Sequence, residues 1–140
     1  LLAWCFARPA LRDVALSQWC LGFAAGDELL DAQLRWSDGE EYPSHLAVHM
    51  WGEGERPDPH RLQAALATVR RVAALTTGDA RAGALAIAAW CSWALGLSTH
   101  ADSYARLALE AVPQYGLAEI VLAFTAAGHL PDWAFRRDPA

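Results

Sequence analysis

Residues 82–97 read AGALAIAAWCSWALGL, and how this run is read decides the fold. It is apolar almost without interruption. A membrane span needs roughly 18 or more uncharged apolar residues. This run is shorter and is broken by Gly83, Ser92 and Gly96. Apolar side chains on all sides of a helix of this length mark a buried, central helix. We expect that helix over Ala80 to Leu97, with Gly78 ending the preceding helix in the left-handed conformation and Asp79 capping the new one through its side-chain oxygen.

Outward from that run the helical spacing continues in both directions. Upstream, Pro59 to Thr76 carries Leu62, Leu66, Val69, Val72, Ala73 and Leu75 at positions available for burial. Downstream, Thr99 and Asp102 resemble a capping box that opens a helix to about Val112, stopped by Pro113. A last helix is expected from Leu117 to Ala127, ending at Gly128. The tail that follows, HLPDWAFRRDPA, is expected to dock through Leu130, Trp133 and Phe135. Toward the N-terminus, Leu1–Ala7 reads as the end of a helix. Pro9 suits the first turn of the next, because its missing N–H is not needed there. Leu11, Val14, Ala15, Gln18, Trp19 and Gly22 share one face, and that helix is expected to stop at Gly26. Asp27 to Trp36 and His45 to Trp51 are read as short helices. SDGEEYP between them and GEGERPDP after them are turn and loop by composition. Alternating, strand-like runs are absent. The fold class expected is all-α, a single helical bundle over 1–140.

The chain has 140 residues, 54% hydrophobic and 19% charged, enough to bury a core and too apolar for disorder. All eleven basic residues are Arg, a coding bias of GC-rich genomes when joined to so much Ala. Residues 26–58 hold nine acids against Arg35 and Arg56, a balance of −7, while the remainder carries +2. Phosphate contacts need a basic face, so nucleic acid is not an expected partner. A membrane is not expected either. The acidic stretch reads first as a solvated loop and, more sharply, as a docking surface for a basic partner. LLAWCFA lacks the charged leader and cleavage site of a signal peptide. Because the chain starts at Leu1, we expect a fragment cut from a longer, cytoplasmic protein.

All three cysteines follow a tryptophan: Trp4-Cys5, Trp19-Cys20 and Trp90-Cys91. A structural zinc site needs four ligands in close pairs, and no Cys-x-x-Cys exists. An odd cysteine count argues against a complete disulfide framework. Core packing is the better reading, since free Cys behaves as a small hydrophobe. His45 and His49 have i, i+4 spacing, but Leu46 stands where an HExxH protease carries its glutamate. No Gly-x-Ser-x-Gly, phosphate-binding loop or Gly-x-Gly-x-x-Gly is present. We therefore expect no catalytic, cofactor-binding or metal-binding residues. Trp36, Trp51 and Trp133 lie in or beside breaker-rich segments, and are the expected interaction surface, because tryptophan is enriched at interface hot spots. The expected partner is the chain's own N-terminal domain or another protein, a second copy included.

Residues 82–115 also resemble a tetratricopeptide repeat, with small residues at Ala89, Gly96, Ala101 and Ala108 and a proline at Pro113; Leu122 and Ala123 fit a following unit. Small residues there let two antiparallel helices approach closely. Leu85 and Ser92 stand where Trp and Tyr are typical. The same region resembles the C-terminal half of the actinobacterial domain of unknown function family 4192. Ala88-Ala89-Trp90, Gly96, Ala108-Leu109, Pro113, Tyr115, Leu117-Ala118 and Gly128 to Pro131 carry the likeness. Leu11 to Leu16, LRDVAL, resembles that family's upstream Arg-Asp segment. The family's usual Gly-Asp-Gly turn is Gly-Leu-Ser here. The resemblance implies no activity, so no site residues come with it. Two functions are expected to compete: a non-catalytic interaction or scaffolding module, and the accessory half of an enzyme whose catalytic residues lie mainly in a missing N-terminal part, its contribution sitting in the acidic middle segment with His45, His49 and His60 nearby.

Overall fold

Arg8 is extended and Pro9 takes the first position of a helix, so the chain turns sharply after its opening segment. The computed structural model describes residues 1–39 and 48–135. Among these residues there are seven α-helices and no strand: α1 (Leu2–Phe6), α2 (Pro9–Leu21), α3 (Phe23–Ser37), α4 (Pro59–Leu75), α5 (Gly78–Ala94), α6 (Ser98–Ala111) and α7 (Gly116–Ala127). Short 3-10 turns occupy His49–Trp51 and Asp132–Phe135. The all-α bundle expected from the sequence is observed. Of the short helix expected over His45 to Trp51, residues 45–47 lie outside the described residues, and His49–Trp51 form a 3-10 turn.

Helix α5 is the hub. Residues 82–94 are all buried, and α5 packs against α6, α4, α7 and α1. Leu85, Ile87, Trp90 and Trp93 supply its bulk, each large side chain worth about 1.5–3 kcal/mol on burial. Ala89, Ala101, Ala105 and Ala108 are fully buried as well. Helix α3 has a different standing, because its principal helix neighbour is α2 alone.

Helix ends differ from expectation at three junctions. The break between α2 and α3 falls at Gly22 rather than Gly26, because Gly22 takes φ +100°. Gly26 lies within α3, pressed on α2; a Cβ there would lie 2.9 Å from Gln18 Cβ. Helix α4 is capped by Asp58, whose carboxylate accepts from the N–H groups of His60 at 2.8 Å and Arg61 at 3.4 Å. Gly78 takes the expected left-handed φ, +60°, but it opens α5 instead of closing α4, and Asp79 makes no cap bond but sits in the first turn, where a negative charge faces the positive end of the helix dipole. The Thr99–Asp102 capping box does not form, since α6 already begins at Ser98. Asp102 instead pairs with Arg106 at 2.8 Å and accepts from Thr125 of α7 at 3.4 Å.

The irregular segments are held by indole N–H groups. Trp90 donates to the Met50 carbonyl at 3.0 Å, Trp93 to that of His129 at 2.8 Å, and Trp133 to that of Ala94 at 2.9 Å. The segment around Trp51 is tied to the tail by Asp132, which donates its backbone N–H to the Gly52 carbonyl at 2.7 Å. A buried carbonyl without a donor costs about 1–3 kcal/mol. These tryptophans therefore fix two loops onto the hub as well as filling it.

Candidate functional site

The stripe Arg12, Leu16 and Cys20 on α2 is spaced at i, i+4 and i+8, and all three are buried. Opposite it stand Ala25, Leu29 and Gln33 of α3, the turn His49–Trp51, and Leu117 and Ile120 of α7. Together they enclose a cleft of about 520 Å³, inside the range of ordinary ligand pockets, about 300–1,000 Å³. Its walls are mainly apolar. Its polar groups are few: Arg12, Asp13, Ser17, Glu28, Gln33 and His49.

Arg12 is only 8% exposed. Its Nε donates to Asp13 Oδ1 at 2.8 Å and its Nη1 to the Tyr115 hydroxyl at 2.8 Å. Burial works against its charge, but Asp13 and Tyr115 outweigh burial and hold the guanidinium above its ordinary value. For Asp13 the balance tips the other way: burial raises its pKa despite Arg12. Arg61 reaches back to the end of α2, donating to the carbonyls of Trp19 at 3.0 Å and Gln18 at 2.6 Å. A cation there complements the negative end of the α2 dipole.

His49 lines the cleft and is 8% exposed. Its Nε2 lies 3.3 Å from the Glu55 carbonyl, and its ring centroid lies 5.8 Å from that of Trp90 and 5.3 Å from that of Trp133. Burial lowers its pKa, against the pull of the Glu55 carbonyl and charge. Protonation therefore favours the unfolded chain, where imidazole titrates at about 6.5. Stability contributed by neutral His49 is complete above that pH and falls as pH drops through it. It levels off below the folded value. Asp13, with its raised pKa, acts in the opposite sense at lower pH. Urea midpoints measured across this window are expected to decline for the parent chain and to decline less for His49→Gln. Identical slopes would mean that His49 is not held neutral.

The sequence-expected residues divide. Trp51 is 52% exposed and lines the cleft, and Trp36 is 59% exposed. Trp36 belongs to the α3 face that carries Ala25, Leu29 and Gln33, one turn beyond Gln33. Trp133 departs from the expected partial exposure. It is 3% exposed, because Ala94 accepts its N–H and His49 packs on its ring. Of the rest of the tail, Leu130 is partly buried, while Phe135 is 77% exposed and does not dock. His60 is exposed and lines a second depression that shares Cys20 and Leu21 with the cleft. His45 lies outside the described residues. The cleft itself, and the pairing of Arg12 with Tyr115 across 103 positions, carry no local signal in the sequence.

Among the described residues, no group of three or more His, Cys, Asp or Glu could hold a metal ion, and no helix is long and apolar enough to cross a membrane. All three cysteines are free. Burial pushes the Cys91 thiol up to about 12 and that of Cys20 well above its ordinary range. Since the thiolate is the reactive form, native-state labelling is expected to be slowest at Cys91 and fastest at the partly exposed Cys5. Equal rates would overturn the core placement of Cys91. No family model, curated protein or solved structure matches the chain.

Proposed function

We propose that this chain is a non-catalytic, cytoplasmic protein-interaction or scaffolding module, and that it docks its partner through the α2–α3 cleft. One observation carries the reading: Trp51 stands half-exposed on the wall of an apolar cleft, and Trp36 stands on the same α3 face that lines it. Large, rigid aromatic side chains beside a desolvated pocket are what interface hot spots are made of. The tetratricopeptide-like pairing of α5 and α6 belongs to the same proposal. It is supported by the complete burial of Ala89, Ala101 and Ala108. The partner is the chain's own N-terminal domain or another protein.

The test is site-specific photo-cross-linking in the host cell. A photoreactive residue at position 36 or 51 is expected to trap a discrete partner. The same residue at exposed position 67 on α4 is expected to trap none. Identical products from 51 and 67 would sink the reading. A second reading, the accessory half of an enzyme, rests on His49 and Asp13 lining one cleft with shifted protonation, a pattern that also marks catalytic sites. It requires a small molecule in the cleft. A thermal-shift screen of small carboxylates, amines and nucleosides is expected to raise the melting temperature under that reading and to leave it unmoved under the first.

A further inference from the structure

The floor of the cleft is hydrocarbon. Leu16, Leu29 and Leu117 are each at most 5% exposed, yet all three contribute surface to the cavity. Several apolar side chains of a partner would fit there. The surroundings are acidic. Glu28 lines the cleft. Glu53 is exposed two residues beyond Trp51. Glu55 and Asp58 line the depression that continues from the cleft through Cys20 and Leu21. The positive charges here are largely engaged. Arg12 is bound to Asp13 and Tyr115, Arg61 to the end of α2, and Arg35 pairs with Asp31.

An apolar trough with an acidic margin is the complement of one kind of segment. We infer that the cleft receives a basic amphipathic helix of a partner protein. Its apolar face seats on Leu16, Leu29 and Leu117 beside Trp51, and its arginines or lysines face Glu28, Glu53 and Glu55. Recognition of this kind reads apolar anchors at i, i+3, i+4 and i+7, and the opposed charges fix orientation and speed encounter. The acidic margin excludes the phosphates of nucleic acid and the headgroups of an anionic membrane, which need a basic surface. The inference rests on the interaction-module reading and names the partner's chemistry. A separate apolar stripe, Phe23, Leu30 and Leu34, lies on the opposite face of α3; all three are exposed, so they provide a control face.

The probe is a labelled synthetic helix of about five turns, with leucines at the i, i+3, i+4, i+7 positions and arginines elsewhere. Two companions accompany it: the same composition scrambled, and the same leucines with glutamates replacing the arginines. Fluorescence anisotropy with the full chain is expected to show saturable binding of the basic helix alone, weaker at ~0.15 M salt than at lower salt. Trp51→Ala and Glu28→Arg are each expected to weaken binding about tenfold or more. Leu34→Ala is expected to leave it unchanged. Circular dichroism checks that each variant keeps its helices, and because Glu28 is an exposed helix position, its reversal leaves a folded test even if Trp51→Ala does not. Equal binding of the scrambled peptide, or equal loss in Leu34→Ala, overturns the inference. So does a dimer in sedimentation that Glu28→Arg dissolves, since the face then belongs to a second copy. If the basic helix fails while cross-linking from position 51 still traps a partner, only the partner's chemistry is wrong. If cross-linking fails too, the module reading falls with it.

Discussion

Replacing Trp93 by alanine is expected to cost about 3–5 kcal/mol, the usual range for deleting a fully buried tryptophan. Trp93 is 0% exposed and stacks on Phe124 with centroids 4.5 Å apart. It also donates to the His129 carbonyl at 2.8 Å. The loss thus has two parts, an indole-sized void and a carbonyl left without its donor. Trp93→Phe separates them. It keeps most of the ring and removes the N–H, so its cost is expected to approach the value of one hydrogen bond plus a small void, about 1–2 kcal/mol. For a domain of this size the alanine variant should melt ~10–20 °C lower. Leu75→Ala, at a position 84% exposed, should stay within about 0.5 kcal/mol of the parent. Hydrogen exchange adds a positional readout. Loosening is expected first at His129 and its tail, and then around Trp51, whose carbonyl lies 3.0 Å from His129 Nε2. A Trp93→Ala chain that melts with Leu75→Ala would mean that the hub is not packed around this ring.

Much of the bundle was legible because its signals are local. The run 82–97 is apolar on every side, so it had to be buried, and its residues 82–94 are. Breaks were legible only to within a few residues. Gly22 and Gly26 are both glycines at the end of one periodic pattern, and composition cannot say which one stops the helix. Gly22 does so by a positive φ, while Gly26 is small because Gln18 crosses it. Trp133 was misplaced for a related reason. Its neighbours Pro131 and Asp132 read as loop, but the chain makes a 3-10 turn there and folds back onto the end of α5. The cleft was beyond local reading altogether. Arg12 and Tyr115 are 103 positions apart, and the apolar residues of α2, α3 and α7 each look like ordinary core. What those helices leave between them depends on the angle at which α3 leaves Gly22, and no periodicity encodes that angle.

Gly83→Ala is expected to destabilise the chain, against the intrinsic preference. In an exposed helix interior alanine is better than glycine by about 1 kcal/mol. Here a Cβ on Gly83 would lie 2.1 Å from the Phe6 carbonyl oxygen, 2.8 Å from its carbon and 3.3 Å from its Cβ. Two of these atoms are backbone, which cannot swing aside as the end of a side chain can. Either α1 lifts from α5 or α5 shifts within the core. Overpacking costs about 1–3 kcal/mol, and lifting α1 exposes part of Phe6, now 0% exposed against Trp19 at 5.9 Å, which adds up to about 1.5–3 kcal/mol. The net expectation is a loss of about 2–4 kcal/mol, the preference of alanine for helix included. Gly116→Ala is the internal control. It lies in the first turn of α7, no neighbouring atom lies within 4 Å of its added Cβ, and its φ is not positive. That change is expected to be neutral or to stabilise by up to about 1 kcal/mol. Melting curves give the sign, and labelling of Cys5 gives the location, because a displaced α1 exposes a thiol that is now partly covered. If the two alanine variants melt alike and Cys5 reacts at the parent rate in both, α1 does not cross α5 at Gly83.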